Sequence, residues 1–217
     1  MRVLALLLAL AIGPVCQGES AIAGARTLAL MQEWDIAQYT SPDDRRRAMA
    51  LKALGARIDA LPATRAGDVR YLVWRAAVLA AEADATDGPQ ALFMAARAKR
   101  LLEVAARHNP SRETSSVLEA TLGALYFNAP GFPLGFGDDA VAESHFVAAV
   151  RADPDNPESQ FYYGDFLLSQ HRDREAAVAL RHALDDLPRP GRAIGDTGLT
   201  QQIEAELVIA TRQNFGQ

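Results

Sequence analysis

Apolar side chains recur at steps of three and four along most of this chain. Over 174–187, Ala176, Ala177, Leu180, Ala183, Leu184 and Leu187 form one continuous face, the pattern of a helix with one side buried. Over 157–170, Phe161, Phe166, Leu167 and Leu168 accompany Tyr162, Tyr163 and Gly164. Asp153, Pro154, Asn156 and Pro157 supply a stop and a restart just before that helix. Near the start, one helix is predicted around 28–38, including Trp34, and a second over 43–61, with Met49, Leu51, Leu54, Ile58 and Leu61 apolar. Ser41 with Asp44 three residues on forms a shortened capping box for the second. At the far end, 200–212 sets Ile203, Leu207 and Ala210 against Gln201, Gln202, Glu204 and Glu206, a helix able to cover the open end of a stack. Strand-like alternation is sustained nowhere, so the expectation is an all-α chain of nine helices.

The chain also resembles itself. Ala142, Phe146, Ala149 and Pro154 each have a counterpart 34 residues later, in Ala176, Leu180, Ala183 and Pro188. Ala98, Leu102, Ala105 and Pro110 repeat the same internal spacing. Small residues let two backbones approach, the large residue fills the hole between them, and proline ends the second helix of the pair. In this register Gly123, Gly164 and Ala76 hold the small position of the first helices, with Tyr126 and Leu167 three residues after the glycines. Two connections are long for such an array, 83–89 and 128–138. Irregular insertions of this kind are candidates for function.

The period and the small–large–small–proline order resemble the tetratricopeptide repeat. Gln160 and Glu119 depart from that pattern, where the family favours tryptophan. The stretches around Trp74, 122–126, 135–139, 163–167 and 189–192 are similar to a group of exported proteobacterial tetratricopeptide-repeat proteins. There is also a distant similarity to the auxiliary tetratricopeptide subunit of periplasmic solute transport systems. The resemblance implies a right-handed α-solenoid of antiparallel helix pairs, at about 68–110, 113–154 and 157–188, preceded by N-terminal helices and closed by a capping helix at about 196–213. It further implies a concave groove lined by the first helix of each pair. In this register the groove positions are Arg70, Val73, Ala77, Val117, Ala120, Ala124, Phe127, Asn128, Phe161, Asp165, Leu168 and Ser169. Phe127, Phe161 and Leu168 would anchor a peptide or helix, Asn128 would hold its backbone, and Arg70 and Asp165 would set its polarity. The function so implied is a module or scaffold that binds a protein or peptide; the alternative is an auxiliary subunit for solute uptake.

Composition narrows the class. The chain has 217 residues, 49% of them apolar and 23% charged, with a formal net charge of −5 and a pI near 5.4. That balance suits a single folded domain and argues against a nucleic-acid binder, which needs a concentrated positive field. Residues 1–18 read as an export signal. Arg2 is followed by the unbroken apolar run 3–12, a break at Gly13 and Pro14, and small residues at Cys16, Gly18 and Ser20. As a helix that run rises only about 15 Å, half of a ~30 Å hydrocarbon core, so it reads as a secretory signal rather than a membrane span. Cleavage after Gly18 would leave 19–217 as one domain, periplasmic or secreted. It would also discard Cys16, the only cysteine; bulky Val15 before Cys16 speaks against a lipid anchor there.

Catalytic and cofactor signatures are not legible. His108, His145, His171 and His182 lack metal-site spacing, and the acidic run 153–158 has no calcium-loop glycine and reads as an inter-repeat turn. The glycines of 131–137 are in the wrong order to cradle phosphate, and Asp138 and Asp139 fit a helix start. Ser111, Thr114, Ser115 and Ser116 read as helix caps, and adjacent Asp185 and Asp186 splay around a helix. The expectation is therefore no enzyme, no cofactor and no metal. Within the insertion, Phe132, Pro133, Leu134 and Phe136 either plug a gap between repeats or form an apolar lip beside the groove.

Overall fold

The computed structural model describes residues 17–61 and 69–212. Nine helices and no strand are found among them. They are α1 (Gln17–Tyr39), α2 (Asp44–Asp59), α3 (Val69–Asp84), α4 (Pro89–Ala106), α5 (Arg112–Asn128), α6 (Asp139–Ala152), α7 (Pro157–Ser169), α8 (Asp173–Asp185) and α9 (Ala193–Arg212). None is long and apolar enough to cross a membrane. The expected signal, with Cys16, lies outside the described residues except for Gln17 and Gly18, which begin α1.

Side-chain caps fix four of the helix starts. Asp43, rather than the expected Ser41, caps α2 by accepting the Arg46 N–H at 2.7 Å. Its carboxylate sits at the position from which a side chain reaches the first turn. Ser111 caps α5, Asp138 caps α6 and Asn156 caps α7, each accepting a first-turn N–H. Of the four hydroxyl residues read as caps, only Ser111 caps; Thr114, Ser115 and Ser116 lie inside α5, where the Ser116 and Ser159 hydroxyls bond at 2.7 Å.

Helices α3–α4, α5–α6 and α7–α8 form successive pairs, and the first helices touch in chain order, α3 with α5, α5 with α7, and α7 with α9. The recurring triplets Ala98, Leu102, Ala105; Ala142, Phe146, Ala149; and Ala176, Leu180, Ala183 are all fully buried. Their glycine partners show why the spacing recurs. A Cβ on Gly123 would stand 2.8 Å from the Phe146 ring, and one on Gly164 would stand 2.7 Å from Leu180. In each pair, the large residue of the second helix occupies the space that the glycine of the first leaves open. Gly164→Leu is expected to cost about 1–3 kcal/mol or more, read as a fall in Tm; melting at the parent temperature would show the register to be misassigned.

The N-terminal helices build a second core. Met31, Trp34, Leu51, Leu54 and Ile58 pack on the far side of α3 against Trp74, Val78 and Ala81, with the two indoles edge to face at 6.4 Å. Helix α1 also meets α9, from the other end of the described residues. Asp35 and Arg192, 1% and 2% exposed, form a bidentate pair at 2.7 and 2.8 Å. Arg189 bridges Asp196 and Glu158, and Gln32 donates to the Gly191 carbonyl at 3.3 Å. Two α9 glycines permit this contact, since a Cβ on Gly195 would lie 2.6 Å from the Asp35 carboxylate and one on Gly198 would lie 2.2 Å from the Tyr39 ring. The stretch 189–192 is thus a clasp between the two ends.

Candidate functional site

The expected groove residues do not share one accessible surface. Val73, Ala77, Val117, Ala120, Ala124 and Phe161 are buried in the main core. Leu199 and Ile203 of α9 belong to the same cluster as Phe161, and Tyr39 of α1 packs against it, so groups from both ends of the chain contribute to the core in which Phe161 sits. Arg70, Phe127, Asp165 and Leu168 are half-buried. Phe127 sits edge-on to Phe166 at 5.5 Å and is part of the packing. Asn128 and Ser169 are exposed, but each turns a polar atom back on its own helix. Asn128 Nδ2 donates to the Ala124 carbonyl at 3.0 Å, and the Ser169 hydroxyl donates to Phe166 at 2.6 Å. The anchoring role expected of Phe161 is therefore corrected: at 1% exposure it supports the core.

The two long connections do come together. The turn between α3 and α4 and the insertion between α5 and α6 border one cavity of about 550 Å³. Ala80 and Ala83 of α3, Ala91, Leu92 and Ala95 of α4, and Ala124, Leu125 and Asn128 of α5 form its walls, and Ala129, Pro130 and Leu134 of the insertion form its lip. Short alanine side chains on three neighbouring helices leave the space open. Helix α3 continues to Asp84, further than expected, and Gly88, with a φ of 78°, makes the turn into α4.

The apolar residues of the insertion do not share one placement. Phe136 plugs a gap, edge-on to Tyr126 at 5.5 Å, with the Lys99 ammonium 5.7 Å from its ring. The other face of Tyr126 stacks on His145, whose Nδ1 meets Glu119 at 2.6 Å. Phe132 and Leu134, by contrast, are 93% and 76% exposed. The loop that carries them is closed at its base: Gly137 N–H donates to the Pro130 carbonyl at 2.9 Å and Asp138 N–H to the Tyr126 carbonyl at 3.0 Å. A Cβ on Gly137 would fall 1.9 Å from the Ala129 carbonyl oxygen, so this closure requires glycine. A third exposed apolar side chain, Phe93, follows the wall residue Leu92 on α4.

Two carboxylates and no basic side chain line the cavity, Asp84 and Asp87. Arg47 reaches one Asp84 oxygen at 3.0 Å, while Oδ1 of the same carboxylate is buried without a hydrogen bond. Burial pushes the Asp84 carboxyl above its ordinary range, against the pull of Arg47. The α4 wall and Asp84 are the parts that sequence reasoning missed; the signal was Phe93, a large apolar residue off the buried face of its helix.

Elsewhere, Asp155, His182 and Asp186 bring possible ligand atoms within 4.8 Å of one another at the surface. The sequence does not bring these together, because Asp155 comes from the turn before α7 and the other two from α8 and its cap. His108 and His171 follow the ends of α4 and α7, as expected of helix-end histidines. Compared with known proteins, the chain matches no family model and no curated protein.

Proposed function

We propose that this chain is an exported, tetratricopeptide-like α-solenoid that binds a peptide or partner protein, and that an apolar side chain of the partner enters the cavity between the α3–α4 turn and the insertion. The cavity carries this reading. Its volume of about 550 Å³ lies within the ~300–1,000 Å³ usual for binding pockets, and its lip presents Leu134 to solvent, with Phe132 exposed on the same loop. The three pairs with one shared buried triplet support the solenoid part of the proposal. The site is the surface of the insertion rather than the first-helix face, where Val73, Ala77, Val117 and Phe161 are buried.

Ala91→Phe tests this directly, since it places a ring in the cavity from a half-buried position and leaves the core triplets alone. In a selection of short random displayed peptides, the parent protein is expected to enrich binders that the variant does not retain, with the variant's Tm close to the parent's. Equal retention by both proteins would reject the cavity as the site. The cavity's size also favours a second reading, an auxiliary subunit that holds a small solute for uptake. Stabilisation by small organic solutes, with no peptide enriched, would support that reading over the first.

A further inference from the structure

Resting on the reading just given, we propose that the cavity selects partners in which a large apolar side chain stands beside a lysine or arginine. The apolar side chain fills the alanine-lined space, and the cation meets Asp84 and Asp87. Three observations lead here. The cavity is lined by two carboxylates and no basic residue, so its charge favours a cation. Asp84 is 9% exposed at its side chain, with Oδ2 engaged by Arg47 and Oδ1 buried without a donor; a buried acceptor left in this state gains when an N–H reaches it. Asp87 is exposed at the same wall, where a long basic side chain can reach it while its stem lies along apolar surface.

The occupant is a polypeptide because the apolar surface extends beyond the cavity. Phe93, Phe132 and Leu134 are exposed on the two elements that border it, and these offer contacts to residues on either side of the one that enters. An anionic lipid surface is disfavoured by the same two carboxylates. Arg47 offsets part of the Asp84 charge, which leaves Asp87 as the freer determinant and the better one to alter.

The test uses the peptides enriched by the parent protein and a synthetic consensus peptide carrying a fluorophore. Enriched sequences are expected to pair an apolar residue with an adjacent Lys or Arg. Replacing that cation by Gln in the consensus peptide should weaken binding about tenfold, and raised salt should weaken only the cationic form. On Asp87→Asn protein most of the difference between the two peptides should vanish, while the Gln form binds as before. Enrichment of apolar residues with no excess of adjacent cations, or an unchanged cation preference on Asp87→Asn, overturns this inference and leaves the cavity reading standing. Binding that survives Ala91→Phe, or no enrichment at all, removes the cavity reading and this inference with it.

Discussion

Replacing Asp35 by alanine is expected to destabilise the protein by about 3–5 kcal/mol, because it strands a guanidinium in the interior. Arg192 is 2% exposed and bound through both Nε and Nη2 to Asp35. Its remaining acidic neighbour, Glu158, is 3.6 Å away and already bound to Arg189. An arginine cannot shed its charge to escape this situation. The intact pair is a different matter. Burial pushes the Asp35 carboxyl up to about 6 even with Arg192 beside it, so desolvation outweighs the attraction. The double variant Asp35→Leu with Arg192→Met should accordingly recover most of what the single change loses, since apolar groups of similar shape replace a buried pair at little cost. Urea denaturation of the parent, the two single variants and the double variant checks this. A single variant as stable as the parent would mean that the ends do not meet through this pair.

Phe161→Ser should cost a similar amount, about 3–5 kcal/mol, through the cavity it opens. Phe161 is packed edge-on against Tyr162 at 5.3 Å and shares its cluster with Leu199 and Ile203. Leu134→Ser, on the exposed lip, should change stability by less than about 0.5 kcal/mol and weaken peptide binding. The pair of variants separates the two candidate surfaces. If Phe161→Ser melted like the parent and lost binding, while Leu134→Ser bound normally, the first-helix face would be the site and the insertion would not.

The register was legible because it rests on neighbours within one hairpin. Gly164 and Leu180 are close in the chain, and the need for a small residue opposite a large one shows directly in the spacing. The clasp was not legible. Asp35 and Arg192 are charged residues 157 positions apart, and a charge in a sequence reads as surface until its partner is known. The groove assignment failed for a related reason: Val73, Val117 and Phe161 follow the expected pattern of first helices, but the main core buries them, and that core also takes in Leu199 and Ile203 from α9. The insertion was half legible. Its apolar content marked it, yet only the structure separates Phe136, seated on Tyr126, from Leu134, which lies open at the cavity.

The clasp also orders events in time. A chain emerging from its N-terminus can form the α3–α4 hairpin as soon as both helices exist, since each such contact is local and quickly closed. Asp35 must wait until residue 192 has been made, although Trp34 beside it can already pack against α2 and α3. A chain arrested before residue 192 would therefore leave Asp35, buried beside Arg192 in the finished fold, without the cation that offsets its charge.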